Sequence, residues 1–92
     1  MAGAKQGDTV EVNYTGMFKN GDVFDTSKGR GPLKFTLGAG QLIPGFEEAV
    51  MGMSVGETKT VTIPPEKAYG KSGHPLSNKT LVFRITVVSI KG

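Results

Sequence analysis

Apolar residues recur with a two-residue period over the first strand-like stretch, where Val10, Val12 and Tyr14 share one face and Thr9, Glu11 and Asn13 the other. The pattern returns where Leu33, Phe35 and Leu37 alternate with Lys34 and Thr36. An extended chain points successive side chains to opposite faces, so both stretches predict half-buried strands. Between them, Lys19-Asn20-Gly21-Asp22 predicts a turn, because Asn-Gly supplies the positive φ angles of a tight hairpin, and the chain returns into a short strand ending Val23-Phe24-Asp25. Gly29-Arg30-Gly31-Pro32 then breaks regular structure. From Pro44 the period lengthens: Phe46, Ala49, Val50 and Met53 fall at i, i+3, i+4 and i+7, with Pro44 suited to the first helical position and Glu47 and Glu48 to the positive end of the dipole. A helix of about ten residues is marginal in water alone, so its apolar stripe must lie on the sheet. Gly56 to Ile63 resumes the two-residue period, and Pro64-Pro65 ends it, since neither proline can donate to a ladder. A long connection, Glu66 to Lys79, leads to Leu81–Ile90, whose continuous apolar content suits a central strand. The expected fold is α+β: an antiparallel curved sheet, a half-barrel, wrapped around one short helix.

Ninety-two residues predict one domain, residues 1–92, with one modest core. The chain has no cysteine and a single histidine, His74, which leaves no thiolate or multi-histidine metal site, and no cofactor is expected. Eleven Lys and Arg against eight acids give a net charge of +3, spread without a basic block, so a nucleic-acid partner is not expected. The first residues, Met-Ala-Gly-Ala-Lys-Gln-Gly-Asp, form no apolar leader and no run is long enough to span a bilayer, so the expected setting is cytoplasmic, without a membrane partner.

The candidate chemistry lies in three short segments: Val23-Phe24-Asp25-Thr26-Ser27, Gln41-Leu42-Ile43-Pro44-Gly45-Phe46 and Ala68-Tyr69-Gly70. They put apolar and aromatic groups beside one acid with no nucleophile–base set, which suits binding and twisting a substrate rather than cutting it. Phe24 and Asp25 are adjacent on a strand, so an acid beside a core phenylalanine belongs at an edge, a bend or a pocket rim. Arg30, five residues on in a glycine-rich loop, could reach back to Asp25 with bidentate geometry. At the helix entry the first backbone N–H groups lack partners within the helix, which leaves the Ile43 N–H available to a peptide carbonyl.

With Val12-Asn13-Tyr14-Thr15-Gly16 before them and Leu81-Val82-Phe83 after, these segments resemble the FKBP family of peptidyl-prolyl cis-trans isomerases, in the family's order from about Gly7 to Ile90. The resemblance implies isomerisation of X–Pro bonds in an apolar pocket. It assigns Asp25 as the pocket acid, Tyr69 as donor to a substrate carbonyl, and Phe46 as the pocket floor, where the family most often has tryptophan. By the same resemblance Tyr14, Phe35 and Phe83, core residues by periodicity, line the proline pocket with Phe24, Leu42 and Ile43. Proline-containing peptides and unfolded or partly folded proteins are the implied partners, macrolides a further ligand class, and a monomer the expected state. Gly73-His74-Pro75 matches the family, but only Leu76-Ser77-Asn78-Lys79 separate it from Thr80. That flap is shorter than in the human archetype, Leu76 is its one plausible apolar contact, and the chaperone domain that SlyD-type microbial members insert there is absent. The chain thus resembles a compact microbial-type member.

Other patterns carry less. Gly38-Ala39-Gly40 starts a dinucleotide fingerprint without its third glycine or a βαβ unit. Asn13-Tyr14-Thr15 and Asn78-Lys79-Thr80 fit a glycosylation sequon, but a cytoplasmic chain would not meet that machinery. His74 has no nucleophile-elbow context and reads as a loop histidine. The competing functional expectation is a module that binds proline segments as a holdase or ligand receptor with little turnover.

Overall fold

The computed structural model of the chain describes residues 3–92. Its elements run β1 (Thr9–Phe18), β2 (Val23–Thr26), β3 (Leu33–Thr36), α1 (Pro44–Val50), β4 (Thr58–Ile63) and β5 (Leu81–Lys91), with a 3-10 turn at Pro65–Lys67. All strand pairs are antiparallel, in the order β2-β1-β5-β4, with β3 also paired to β1. β1 is long enough to take two partners on one edge: Thr9 to Val12 pair with β3, and Thr15 to Met17 with β2. The alternation read from sequence is the reason for the core. Val10, Val12, Leu81, Phe83, Ile85 and Val87 point to the same buried side, and β5, paired along both edges, is the central strand its apolar run predicts.

The helix lays Phe46, Ala49 and Val50 on that core. Its helical residues number seven, fewer than the ten expected from periodicity. The chain leaves helical geometry at Met51, with ψ 124°, because the next residues turn back to the N-terminal segment: Gly52 N–H donates to the Ala4 carbonyl and Ala4 N–H to the Met53 carbonyl. Met53 keeps its predicted place in the core from outside the helix. Lys59 Nζ donates to the Ala49 carbonyl at 3.0 Å, which puts a cation at the negative end of the helix. Gly45 lets the helix start sit directly on β4, since a Cβ there would collide with the Ile63 side chain. β4 likewise begins later than its sequence period, at Thr58, after a glycine turn at Gly56 (φ +89°).

Candidate functional site

The start of the helix, the concave side of β1, β2 and β5, and the turn after Pro65 enclose a cavity of about 340 Å³. Its floor is Phe46, only 3% exposed, met edge-on by Tyr14, Phe83 and Phe35 at centroid distances of 5.8, 5.2 and 5.9 Å. Edge-to-face contact fixes each ring against the quadrupole of the next, so the floor is rigid as well as apolar. Phe24 continues the wall, 5.7 Å from Phe83 and 5.0 Å from Phe18. These rings meet over Gly16, where a Cβ would lie 2.8 Å from both Phe24 and Phe83.

Asp25 stands at the rim and is held from three directions. Its Oδ2 accepts the Tyr14 hydroxyl at 2.8 Å, and its Oδ1 accepts Arg30 Nη2 at 2.6 Å and the Thr26 N–H at 2.9 Å. The expected pairing with Arg30 therefore exists, but it is not bidentate. Tyr14 occupies the second carboxylate oxygen, and the rest of the guanidinium turns to the Thr26 carbonyl, which accepts from Nε at 3.1 Å. Burial, and next the hydrogen bond to Asp25 and its negative charge, hold the Tyr14 phenol above the usual tyrosine value. Tyr14 is thus a neutral donor to Asp25 across the physiological range.

Of the other residues marked in the sequence, Leu42, Ile43 and Tyr69 line the cavity. The Ile43 N–H makes no hydrogen bond among the described residues, as expected for the residue that precedes the helix; its carbonyl accepts from Phe46 and Glu47. The Tyr69 hydroxyl also lacks a protein partner among the described residues and is available to a ligand. Two expected pocket residues stand elsewhere. Phe35 is 3% exposed and packs behind Phe46, supporting the floor without reaching the cavity. Leu76 does not line it either, because its loop folds on itself through Ser77 and His74. Leu33, Gln41, Pro44 and Ala68 do line it, and sequence reasoning missed them. Gln41, Pro44 and Ala68 flank marked residues in segments already singled out, but nothing in the local pattern of Leu33 marks it.

Domains of this fold and site, a curved antiparallel sheet with one helix and an aromatic-floored cavity beside a fixed carboxylate, form a recognisable class. The family model for FKBP-type peptidyl-prolyl cis-trans isomerases matches residues 2–88, and the chain belongs to that family. It is 48% identical over 91 residues to FK506-binding protein 2 of Yarrowia lipolytica, covering 95% of this chain and 63% of that protein. It is 45% identical over 92 residues to FK506-binding protein 1A of Neurospora crassa, covering 96% of this chain and 77% of that protein. The crystal structure of FkpA from Escherichia coli superposes with a TM-score of 0.87 at 41% identity, over 98% of this chain and 43% of that one. The resemblance drawn from the motifs and the α+β fold it implied are both confirmed.

Proposed function

We propose that the chain, acting as a single domain, catalyses cis–trans isomerisation of X–Pro bonds in unstructured peptides and partly folded proteins. The observation that carries this reading is the cavity, with its rigid aromatic floor and, at its rim, a carboxylate fixed by Tyr14 and Arg30. Its volume of about 340 Å³ lies at the small end of the roughly 300–1,000 Å³ usual for ligand sites, which suits a proline ring with its neighbouring carbonyls.

The reaction breaks no bond. An X–Pro amide resists rotation because resonance gives it double-bond character, with a barrier of about 18–20 kcal/mol. Twisting localises the nitrogen lone pair and reduces the amide dipole, so a water-poor apolar site disfavours the twisted form less than water does. Phe46, Phe83, Phe24 and Leu42 supply that environment. The Tyr69 hydroxyl and the Ile43 N–H hold carbonyls on either side of the ring, and Asp25 sets a fixed negative field beside the rotating carbonyl. Each ~1.4 kcal/mol of preference for the twisted form gives about tenfold in rate.

A macrolide of the FK506 kind, the ligand for which the fungal relatives are named, would compete for the same cavity, with Phe46 as its platform. A monomer working in the cytoplasm completes the proposal; no helix among the described residues is long and apolar enough to cross a membrane. Exchange NMR on a short X-Pro-Phe peptide tests the reading. Peptide binding without any rate above background would replace the isomerase with a proline-binding module.

A further inference from the structure

The loop after Tyr69 is held by its own polar groups. Ser77 Oγ accepts the His74 N–H at 2.9 Å and donates to the Tyr69 carbonyl at 3.0 Å, while the Ser77 N–H donates to the His74 carbonyl and the Asn78 N–H to the Gly70 carbonyl. Within this loop the His74 imidazole lies flat on the Tyr69 ring, with centroids 4.1 Å apart and planes 12° from parallel. The imidazole is itself fixed, because Nδ1 accepts the Leu76 N–H at 2.9 Å. His74 does not line the cavity, so the stack covers the part of Tyr69 turned away from it. Tyr69 takes no part in the ring cluster around Phe46, and its hydroxyl has no protein partner among the described residues. A phenol aimed at a ligand without a hydrogen bond of its own needs something else to select its rotamer.

We propose that His74 is a positioning residue: its ring, stacked on Tyr69, holds the phenol in the orientation that presents its hydroxyl to the substrate carbonyl. This rests on the isomerase reading above. A stacked pair of this kind changes the population of one ring orientation by about three- to tenfold.

The test separates the ring from the hydrogen bond. His74→Phe keeps a flat ring without the acceptor, His74→Asn keeps an acceptor near Nδ1 without the ring, and His74→Ala keeps neither. Each is made in the natural chain and in a Tyr69→Phe background, and kcat/KM is measured by exchange NMR on the short X-Pro-Phe peptide, beside the Tyr69 ring-proton shifts. The expected result is a fall of about three- to tenfold for His74→Ala and His74→Asn, recovery to within about twofold for His74→Phe, and no further loss from any of them once the hydroxyl is gone. Equal rates for all variants would overturn the proposal. So would a His74→Phe as slow as His74→Ala, or a loss that persists without the hydroxyl, since His74 would then act through the loop alone. A natural chain that binds but does not turn over rejects the isomerase reading instead. The peptide Kd then replaces the rate, with the same order of variants expected and the same reversals counting against His74.

Discussion

Asp25→Leu removes the one charge at the cavity rim that Tyr14, Arg30 and the Thr26 N–H jointly hold in place. Two unit charges 4 Å apart interact by about 4 kcal/mol at an effective dielectric of about 20. Breaking amide resonance takes only part of a charge off the carbonyl oxygen, so with about a fifth of a charge the effect is about 0.8 kcal/mol, or roughly fourfold in rate. The sign follows from chemistry: the planar amide carries the more negative oxygen, a nearby carboxylate disfavours it, and twisting relieves the repulsion. Arg30 at 2.6 Å weakens the field toward solvent, so a fall in kcat of about two- to fivefold is expected, with peptide Kd changed less because leucine enlarges the apolar wall. Asp25→Asn, which keeps the shape, should lose kcat to a similar extent. The assay is exchange NMR at saturating and subsaturating peptide, which separates rate from affinity. No proton moves in this scheme, and the Tyr14 phenol, held above its ordinary value by burial and then by Asp25, remains a donor throughout the neutral range. In a His74→Phe background, which keeps a ring on Tyr69 and removes the chain's one imidazole, the rate should therefore be flat between about pH 6 and 8. Loss confined to affinity, or a bell-shaped profile in that window, would refute the electrostatic role.

Gly45→Ala should destabilise the fold by about 1–3 kcal/mol despite alanine's better helix propensity, because the new methyl meets the γ carbons of Ile63, and in thermal melts Gly45→Ala/Ile63→Ala should cost less than the sum of the two single substitutions; an unchanged Tm for Gly45→Ala would refute the close approach. Asp8 is held below the usual carboxylate range, chiefly by the Lys5 N–H at 3.0 Å and further by the Lys5 ammonium at 3.2 Å, with burial opposing. A depressed folded pKa contributes stability above the unfolded value near about 3.9 that is lost as pH falls through the folded value, so Asp8→Asn should make urea stability less steep in that acid window, and equal slopes would contradict it. The short flap offers little apolar surface for capturing unfolded chains, so grafting a chaperone insert between Gly70 and Thr80 should raise catalysis of proline-limited refolding while leaving short-peptide turnover little changed; equal refolding rates at equal concentration would refute this.

Which residues face inward, and in what order the elements come, can be read from residue order alone. Side-chain direction has a fixed period along a strand or helix, so Val10, Val12, Phe83 and Ile85 could be assigned to the core, and Pro44 to the helix start, without knowing their neighbours. The segments that line the cavity carry local features too, an acid beside a core phenylalanine, a helix entry and a tyrosine after a double proline, but by themselves these also read as a turn carboxylate and core side chains, and the family resemblance gave them roles. Distance across elements is set only when the chain is folded. Phe35 and Leu33 share a face of β3, yet Phe35 lies behind Phe46 while Leu33 reaches the cavity, because pairing with β1 sets Phe35 opposite Val10 and Leu33 opposite Val12, nearer to Tyr14 in the cavity wall. The helix ended early because the N-terminal segment claims Gly52 and Met53, a contact between residues far apart in sequence. Arg30 met Asp25 through one nitrogen because Tyr14, from another strand, had taken the second oxygen. His74, a plain loop histidine in sequence, became the partner of Tyr69 because the Ser77 and Gly70 hydrogen bonds fold the loop back over the ring. Periodicity fixes direction within an element, whereas the partners a side chain meets are set by how separate elements pack, and that is a property of the whole chain.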